Sequence, residues 1–306
     1  MMVAYQDHDL KTNFAALVRG KLDYDTPLSK YPWFQTGGNA DILFTPEDEQ
    51  DLACFLKALP NDVEILPLGV GSNLLIRDGG VKGAVIRFGK KFSKINVEDN
   101  FITVGSGAPD ISVAKKALNA ELTGFEFLRG VPGTIGGALK MNAGAYGSEI
   151  EDIFVNARVM GRQGDVHILT HQDMGFGYRH TSVPNDYIFL EATLKGSPGN
   201  FEDIQRKMNE IGDAREDSQP LRTRTGGSTF KNPKEKSAWK LVDEAGCRGL
   251  NIGGAKVSEK HCNFLINEGN ATAKDIETLG EEVRRRVQEK TGVLLEWEIK
   301  RIGREA

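Results

Sequence analysis

Ser228 lies in GGSTFKNP, residues 226–233, after two glycines and ahead of Lys231 and Asn232. A hydroxyl held in such a turn can give a proton to a bound substrate. The same residues also suit a plain turn with a solvated serine, so the chemistry depends on what accompanies them. Upstream, LPLGVGSNLLI (66–76) reads as an apolar run, a turn and a second apolar run. Gly69 and Gly71 let the backbone around Val70 approach a ligand closely. Successive N–H groups there can form a nest for phosphate oxygens, with Ser72 and Asn73 adding side-chain donors. Leu74 stands where a third glycine of Gly-x-Gly-x-x-Gly would stand, and no Gly-x-x-x-x-Gly-Lys-Ser/Thr occurs, which disfavours the ordinary nucleotide folds. A hairpin is the competing reading of this turn.

A second passage, RGVPGTIGGALKMNAGAYG (129–147), is too apolar for a flexible linker. Pro132 fixes one φ, while Gly133, Gly136, Gly137 and Gly144 remove side chains where a large flat group could lie. Close packing of two chain segments is the structural alternative. Two separate glycine-rich surfaces favour a dinucleotide.

These segments, with TGGNAD (36–41), GYRHT (177–181), VDEAGCRG (242–249), VSEKHCNFLIN (257–267) and LEWEIKRIG (295–303), occur in the order found in a known family. From about Trp33 to Gly303 the chain resembles the UDP-N-acetylenolpyruvoylglucosamine reductases, FAD enzymes of bacterial peptidoglycan synthesis. The resemblance implies an α+β protein with the FAD-binding fold of the vanillyl-alcohol-oxidase type. In that fold two α/β subdomains, here 1–90 and 91–199, are followed by a C-terminal α+β substrate domain, here 200–306. The C-terminal segment is expected to return to the first subdomain.

The implied reaction reduces UDP-N-acetylglucosamine enolpyruvate to UDP-N-acetylmuramate, with NADPH as co-substrate and FAD held without a covalent bond. Hydride passes from flavin N5 to C3 of the enolpyruvyl group, and Ser228 protonates C2. An isolated enol ether resists hydride, so the adjacent carboxylate must take up developing charge. Arg179 matches the family position that holds this carboxylate, and a guanidinium can do so through two parallel hydrogen bonds. Glu298 matches the other residue at that site, where a carboxyl beside an anion must have a raised pKa. On a strand Glu296 and Glu298 would point the same way.

The cofactor positions implied are Gly69, Val70, Gly71, Ser72, Asn73 and Leu74 in the first turn. In the second passage they are Pro132, Gly133, Thr134, Gly136, Gly137 and Ala138, then Asn142, Ala143 and Gly144. Tyr178, Arg224, Lys231 and Asn232 are the expected substrate contacts, with Arg222 the rival of Arg224 for the diphosphate. His261 could line the pocket or serve a structural hydrogen bond. The short path from Tyr178 to Ser228 marks the shorter family type, without the extra tyrosine loop.

The elements that must position these residues follow from pattern. Strands are expected at 40–44, 63–68 and 84–88, a hairpin at 94–97 and 101–104, and a closing strand at 294–302. Helices are expected at 47–59, at 109–120 with Pro109 near the start, and beyond GSPGN (196–200), where Asn200 can cap a face of Phe201, Ile204, Met208 and Ile211. Asn270-Ala271-Thr272 reads as the start of a helix carrying Ile276, Leu279, Val283 and Val287 at helical spacing.

The chain has 306 residues, a net charge of -4 and three cysteines at irregular spacing. Scattered basic residues disfavour a nucleic-acid partner. The cysteines suggest neither a disulfide framework nor a zinc site, no His pair has metal spacing, and a reducing cytoplasm is expected. No apolar run of ~18 residues or secretory h-region is present, so no membrane association is expected. A monomer is expected. Another flavin oxidoreductase on this scaffold, or a non-catalytic sugar-nucleotide binding protein, remain the alternatives.

Overall fold

In the computed structural model, which describes residues 16–234 and 236–306, the chain forms two units. The first contains the described residues up to Tyr24 with Ile42–Gly69 and Gly83–Gly212. The second contains Asp25–Asp41, Val70–Lys82 and Asp213–Ala306.

In the first unit a 5-stranded antiparallel sheet runs, in spatial order, Val166–Thr170, Phe154–Met160, Ile188–Lys195, Phe101–Gly105, Ile95–Glu98. The last two are the expected hairpin, with Glu98 opposite Phe101 and Asp99 at positive φ in the loop. The helix Asp110–Asn119 starts directly after Pro109 and buries Val113, Ala114, Ala117 and Leu118 against Ile102 and Val104. That spacing gives one apolar stripe on an otherwise polar helix. The strand Ile188–Lys195 serves two cores. Ile188 and Leu190 pack with Phe44, Phe55 and Ile86, whereas Phe189, Ala192 and Leu194 join Ile102 and Val104. Leu190 is an extra residue between the pairs Phe189–Val159 and Glu191–Arg158. This bulge resets the in-out alternation, so residues of opposite parity share one core.

The helix Glu49–Ala58, capped by Asp48, packs Leu52, Phe55 and Leu56 into the core that holds Phe44 and Ile86. The strand Ile65–Leu68 runs parallel to residues 84–87 of Val81–Arg87, while Leu74–Ile76 runs parallel to Lys300–Ile302. The apolar runs around Gly69–Asn73 therefore pair with different partners, and the hairpin alternative is corrected. In the first unit the helix Phe201–Ser218 begins where Asn200 Oδ1 accepts from the Asp203 N–H at 3.1 Å, and it buries Ile204 and Met208.

The second unit carries a 3-stranded antiparallel sheet, Asn251–Ile252, Ala255–Val257 and Leu265–Asn267. The helix Ala273–Thr291 lies in the same core through Ile276, Leu279, Val283 and Val287. Thr272 and Asp275 cap it reciprocally. Asp78 accepts from the N–H groups of Ala273 and Lys274 at 2.9 and 3.0 Å, satisfying two donors that the first turn leaves over. The expected closing strand is shorter, Lys300–Ile302. Just before it, the N–H groups of Glu298 and Ile299 converge on the Thr229 carbonyl at 2.8 and 3.4 Å, which breaks the regular ladder. Among the described residues no helix is long and apolar enough to cross a membrane.

The parallel pair is clamped by charge. Arg77 holds Glu277 through two bonds of 2.9 and 2.8 Å, and Arg301 reaches Glu277 at 3.0 Å and Glu281 at 2.9 Å. The Trp297 indole N–H donates to Glu281 at 2.8 Å. Hydrogen bonding from Arg77, reinforced by both guanidinium charges, holds the Glu277 carboxyl below its ordinary range. A depressed folded-state pKa gives stability that is full above the unfolded value and disappears as pH falls through the folded value. Glu277→Gln is therefore expected to cost about 1–3 kcal/mol at neutral pH, with the difference from the native protein closing below about pH 4. Thermal unfolding across pH checks this; a constant difference down to pH 3 would contradict it.

Candidate active site

The second glycine-rich passage is anchored by backbone pairing inside the first unit. Gly136 N–H donates to Ser106 O at 2.8 Å, Ile135 N–H to Ala108 O at 3.0 Å, and Asp110 N–H to Gly133 O at 3.1 Å. Pro132 and Gly133 are half-buried, and the helix Ile135–Met141 carries Gly136, Gly137 and the buried Ala138. A β-carbon on Gly69 would lie 2.6 Å from Thr134 Oγ1, so the two glycine-rich motifs meet there. At Gly137 a β-carbon would meet nothing within 4 Å, leaving exposed backbone with open space beside it.

Asn142 closes that helix in the left-handed region at φ 42, and Ala143 N–H returns to Ala138 O at 2.9 Å. Its side chain is fully buried. The amide donates to Gly177 O at 3.3 Å and accepts from Glu151 N–H at 3.0 Å. Asn142 thereby ties the MNAG segment to the GYRHT turn with its side chain, which sequence reasoning assigned to the cofactor.

In that turn Gly177 and His180 exchange backbone bonds of 3.0 Å, leaving Tyr178 and Arg179 at the tip. Tyr178 is exposed, and the Arg179 guanidinium lies 4.9 Å from its ring centroid. Arg179 Nη2 donates to Gly144 O at 2.6 Å, and Nη1 reaches Asn142 O at 3.5 Å. Its backbone sits at φ 55, a conformation uncommon for a residue with a long side chain. In the same unit, both carboxyl oxygens of Asp110 are buried without a partner, and burial pushes this group well above the usual carboxylate range.

In the second unit, residues 228–231 lie between two other segments. Ser228 bridges Phe264 and Phe230 bridges Trp297, both antiparallel. Thr229 N–H donates to Asn263 O at 2.7 Å, Thr229 O accepts from Glu298 N–H at 2.8 Å, and Lys231 N–H donates to Glu296 O at 2.8 Å. Asn73 from the first glycine-rich turn joins the same network. Its amide donates to Glu298 O at 3.3 Å and its carbonyl accepts from Lys300 N–H at 3.0 Å. Ser228, Glu298 and Asn73 are thus held by contiguous backbone. Ser72 and Leu74 are half-buried on either side of Asn73, Gly71 is buried, and Val70 is exposed.

The two glutamates of LEWEIK differ in setting. Glu296 is exposed with its carboxylate 3.7 Å from Lys231 Nζ, whereas Glu298 is half-buried. Asn232 Oδ1 accepts from Ala238 N–H at 2.9 Å and so starts the helix Ala238–Glu244. Arg224 is exposed and donates to Gly269 O at 3.1 Å, and Arg222 is exposed at φ 64. His261 Nδ1 accepts from Asn263 N–H at 3.3 Å, and burial lowers its pKa, so the imidazole is neutral with a structural bond. Sequence reasoning quoted Asn263 only as part of a motif; its bonds to the Ser228 segment were the missing signal. Arg179 and Tyr178 belong to the first unit, and Ser228 and Glu298 to the second.

Residues 40–170 match the family description "FAD binding domain", and residues 219–302 match "UDP-N-acetylenolpyruvoylglucosamine reductase, C-terminal domain". A UDP-N-acetylenolpyruvoylglucosamine reductase from Parvibaculum lavamentivorans is 58% identical over 94% of this chain and 92% of its own length. One from Paramagnetospirillum magneticum is 55% identical over 99% of this chain and 98% of its own. The crystal structure of a UDP-N-acetylenolpyruvylglucosamine reductase from Thermus caldophilus superposes with TM-score 0.80 at 36% identity, covering 92% of this chain and 98% of that one.

An FAD group fits the first unit's surface. The open backbone at Gly137 offers room for a large flat or phosphate-bearing group, and the buried Ser106 hydroxyl beside Gly136 has no protein partner. Gly144 is a tight point of the surrounding frame. A β-carbon there would meet Glu149 Cβ at 2.6 Å, Ser148 O at 2.8 Å and Arg179 Nη1 at 3.1 Å. Gly144→Ala is expected to cost about 1–3 kcal/mol through overpacking, seen as a lower thermal midpoint. A midpoint equal to the native one would show that the packing of Gly144 against Ser148 and Glu149 has slack the structure does not contain.

Proposed function

The chain belongs to the UDP-N-acetylenolpyruvoylglucosamine reductase family, and on that premise we propose that it reduces UDP-N-acetylglucosamine enolpyruvate to UDP-N-acetylmuramate with NADPH as reductant. It is an FAD-dependent oxidoreductase of peptidoglycan synthesis. Residues of the two glycine-rich motifs, among them Gly69, Thr134 and Gly137, would hold FAD without a covalent bond. Bound FAD would supply the redox chemistry that links NADPH oxidation to reduction of the enolpyruvyl double bond.

The chain's own residues do the rest. Arg179 holds the substrate carboxylate through paired hydrogen bonds and stabilises the charge that grows on it as C3 is reduced. In the free protein its guanidinium rests on the carbonyls of Asn142 and Gly144, so donors are already oriented before substrate arrives. Glu298 shares a proton with that carboxylate site. Ser228 gives its hydroxyl proton to C2. Serine is a weak acid, and it serves because the enediolate it meets is strongly basic. Tyr178, Lys231, Asn232 and Arg224 contact the nucleotide-sugar portion.

The observation that carries this reading is the shared Thr229 peptide. Its N–H side follows Ser228 directly, and its carbonyl accepts from Glu298 N–H at 2.8 Å. The attachment points of the proposed proton donor and carboxyl are therefore one residue apart, at either end of Thr229.

Ser228→Ala is expected to keep reduction of FAD by NADPH and to slow substrate-driven reoxidation by about 10²–10⁴-fold. An anaerobic visible spectrum, taken after one addition of NADPH and then one of UDP-N-acetylglucosamine enolpyruvate, separates the two halves. Equal loss of both would mean a folding defect instead. Native protein that bleaches with NADPH but stays bleached after substrate would sink the substrate assignment.

A further inference from the structure

We propose that Asn263 is a positioning residue for the protonation step, because its side-chain amide locks the Thr229–Phe230 backbone and thereby aims the Ser228 hydroxyl. This rests on the reading of Ser228 as the proton donor.

Ser228 is preceded by Gly226 and Gly227, the latter at φ 78. Glycine backbone restrains its neighbours least, so the orientation of Ser228 has to be fixed from the other side. On that side Asn263 makes three bonds to two consecutive residues. Its carbonyl accepts from Thr229 N–H at 2.7 Å, its Oδ1 accepts from Phe230 N–H at 3.0 Å, and its Nδ2 donates to Phe230 O at 2.8 Å. The amide behaves as an extra residue of a neighbouring strand, offering donor and acceptor to one peptide group on each side of Phe230. Among side chains of this length, carboxylate lacks the donor and leucine lacks both.

Both main-chain groups of Phe230 bond to this amide, while the flanking main-chain bonds of Thr229 and Lys231 go to Glu298 and Glu296. Asn263 is 3% exposed, so water does not substitute for the amide. The Thr229 hydroxyl is buried without a partner, so its position comes from the main chain alone. The Asn263 N–H is itself held by the neutral His261 ring. The lock extends to Glu298 through the Thr229 carbonyl. A shift of Thr229 would move Ser228 on one side and the anchor of Glu298 on the other, and misplacement by about 1 Å is enough to slow a positioned reaction about 10²-fold.

Asn263→Asp keeps size and the acceptor for Phe230 N–H but sets an oxygen against the Phe230 carbonyl; Asn263→Ser is a second variant too short to reach that carbonyl. Reduction of FAD by NADPH, reoxidation by UDP-N-acetylglucosamine enolpyruvate, substrate Kd and thermal midpoint are measured for each, in native and Ser228→Ala backgrounds. The expected result is intact reduction, nearly native substrate Kd, and reoxidation slowed about 10–100-fold. In the Ser228→Ala background no further slowing is expected, since the group being aimed is gone. Native reoxidation by both variants, equal slowing in both backgrounds, or joint loss of FAD and fold would overturn the inference. If Ser228→Ala itself reoxidises normally, the reading beneath it fails first and the inference falls with it.

Discussion

The central constraint in the second unit is the backbone strap 228–231, pinned on one edge by Asn263 and Phe264 and on the other by Glu296 and Glu298. These segments are far apart in sequence, and none forms a long regular strand. What holds them is a short set of main-chain bonds plus one buried amide, inside a core that contains Phe230, Leu265 and Ile299. Buried peptide groups must be paired, so each bond also removes the desolvation penalty of a polar group within that core. The same bonds that stabilise the unit therefore determine where the Ser228 and Glu298 side chains lie.

The first unit solves a comparable problem with different means. The glycine-rich passage carries little side-chain mass of its own, so its shape comes from backbone bonds to residues 106–110 and from the buried Asn142 amide. The seven-residue helix between them is too short to be stable by propensity and depends on the packing of Ile135, Ala138 and Leu139. A surface built from backbone and small residues can be open at Gly137 and rigid beneath it. Asp110, buried at the base with its carboxyl unpartnered, is a costly polar group in that support, and the unpartnered Ser106 hydroxyl is another.

Much of this was legible from residue order because the signals were local. The helices at 110–119 and 273–291 were readable from apolar spacing and from Pro109 and Thr272 at their starts. The hairpin at 95–105 was readable from alternation around a polar loop. Pairing across long separations was not. Nothing in LPLGVGSNLLI says that its second apolar run pairs with Lys300–Ile302, because a parallel partner is chosen by the tertiary fold. The Leu190 bulge was hidden for the same reason: a one-residue insertion in a continuous apolar run leaves no mark on composition. Glu296 and Glu298 looked equivalent under strand periodicity, and they separate because two N–H groups share the Thr229 carbonyl there. Motif resemblance named Asn142 as a cofactor residue, while the work of its side chain depends on partners at Glu151 and Gly177.

The left-handed backbone of Arg179 sets stability against the proposed carboxylate-holding role at a single position. Holding a non-glycine residue there costs about 1–3 kcal/mol, and glycine would relieve most of that strain in the turn between Gly177 and His180. A search guided by thermostability alone would thus favour removing the guanidinium. The substrate contact proposed for the guanidinium would supply the reason that arginine stands where the backbone torsion suits glycine.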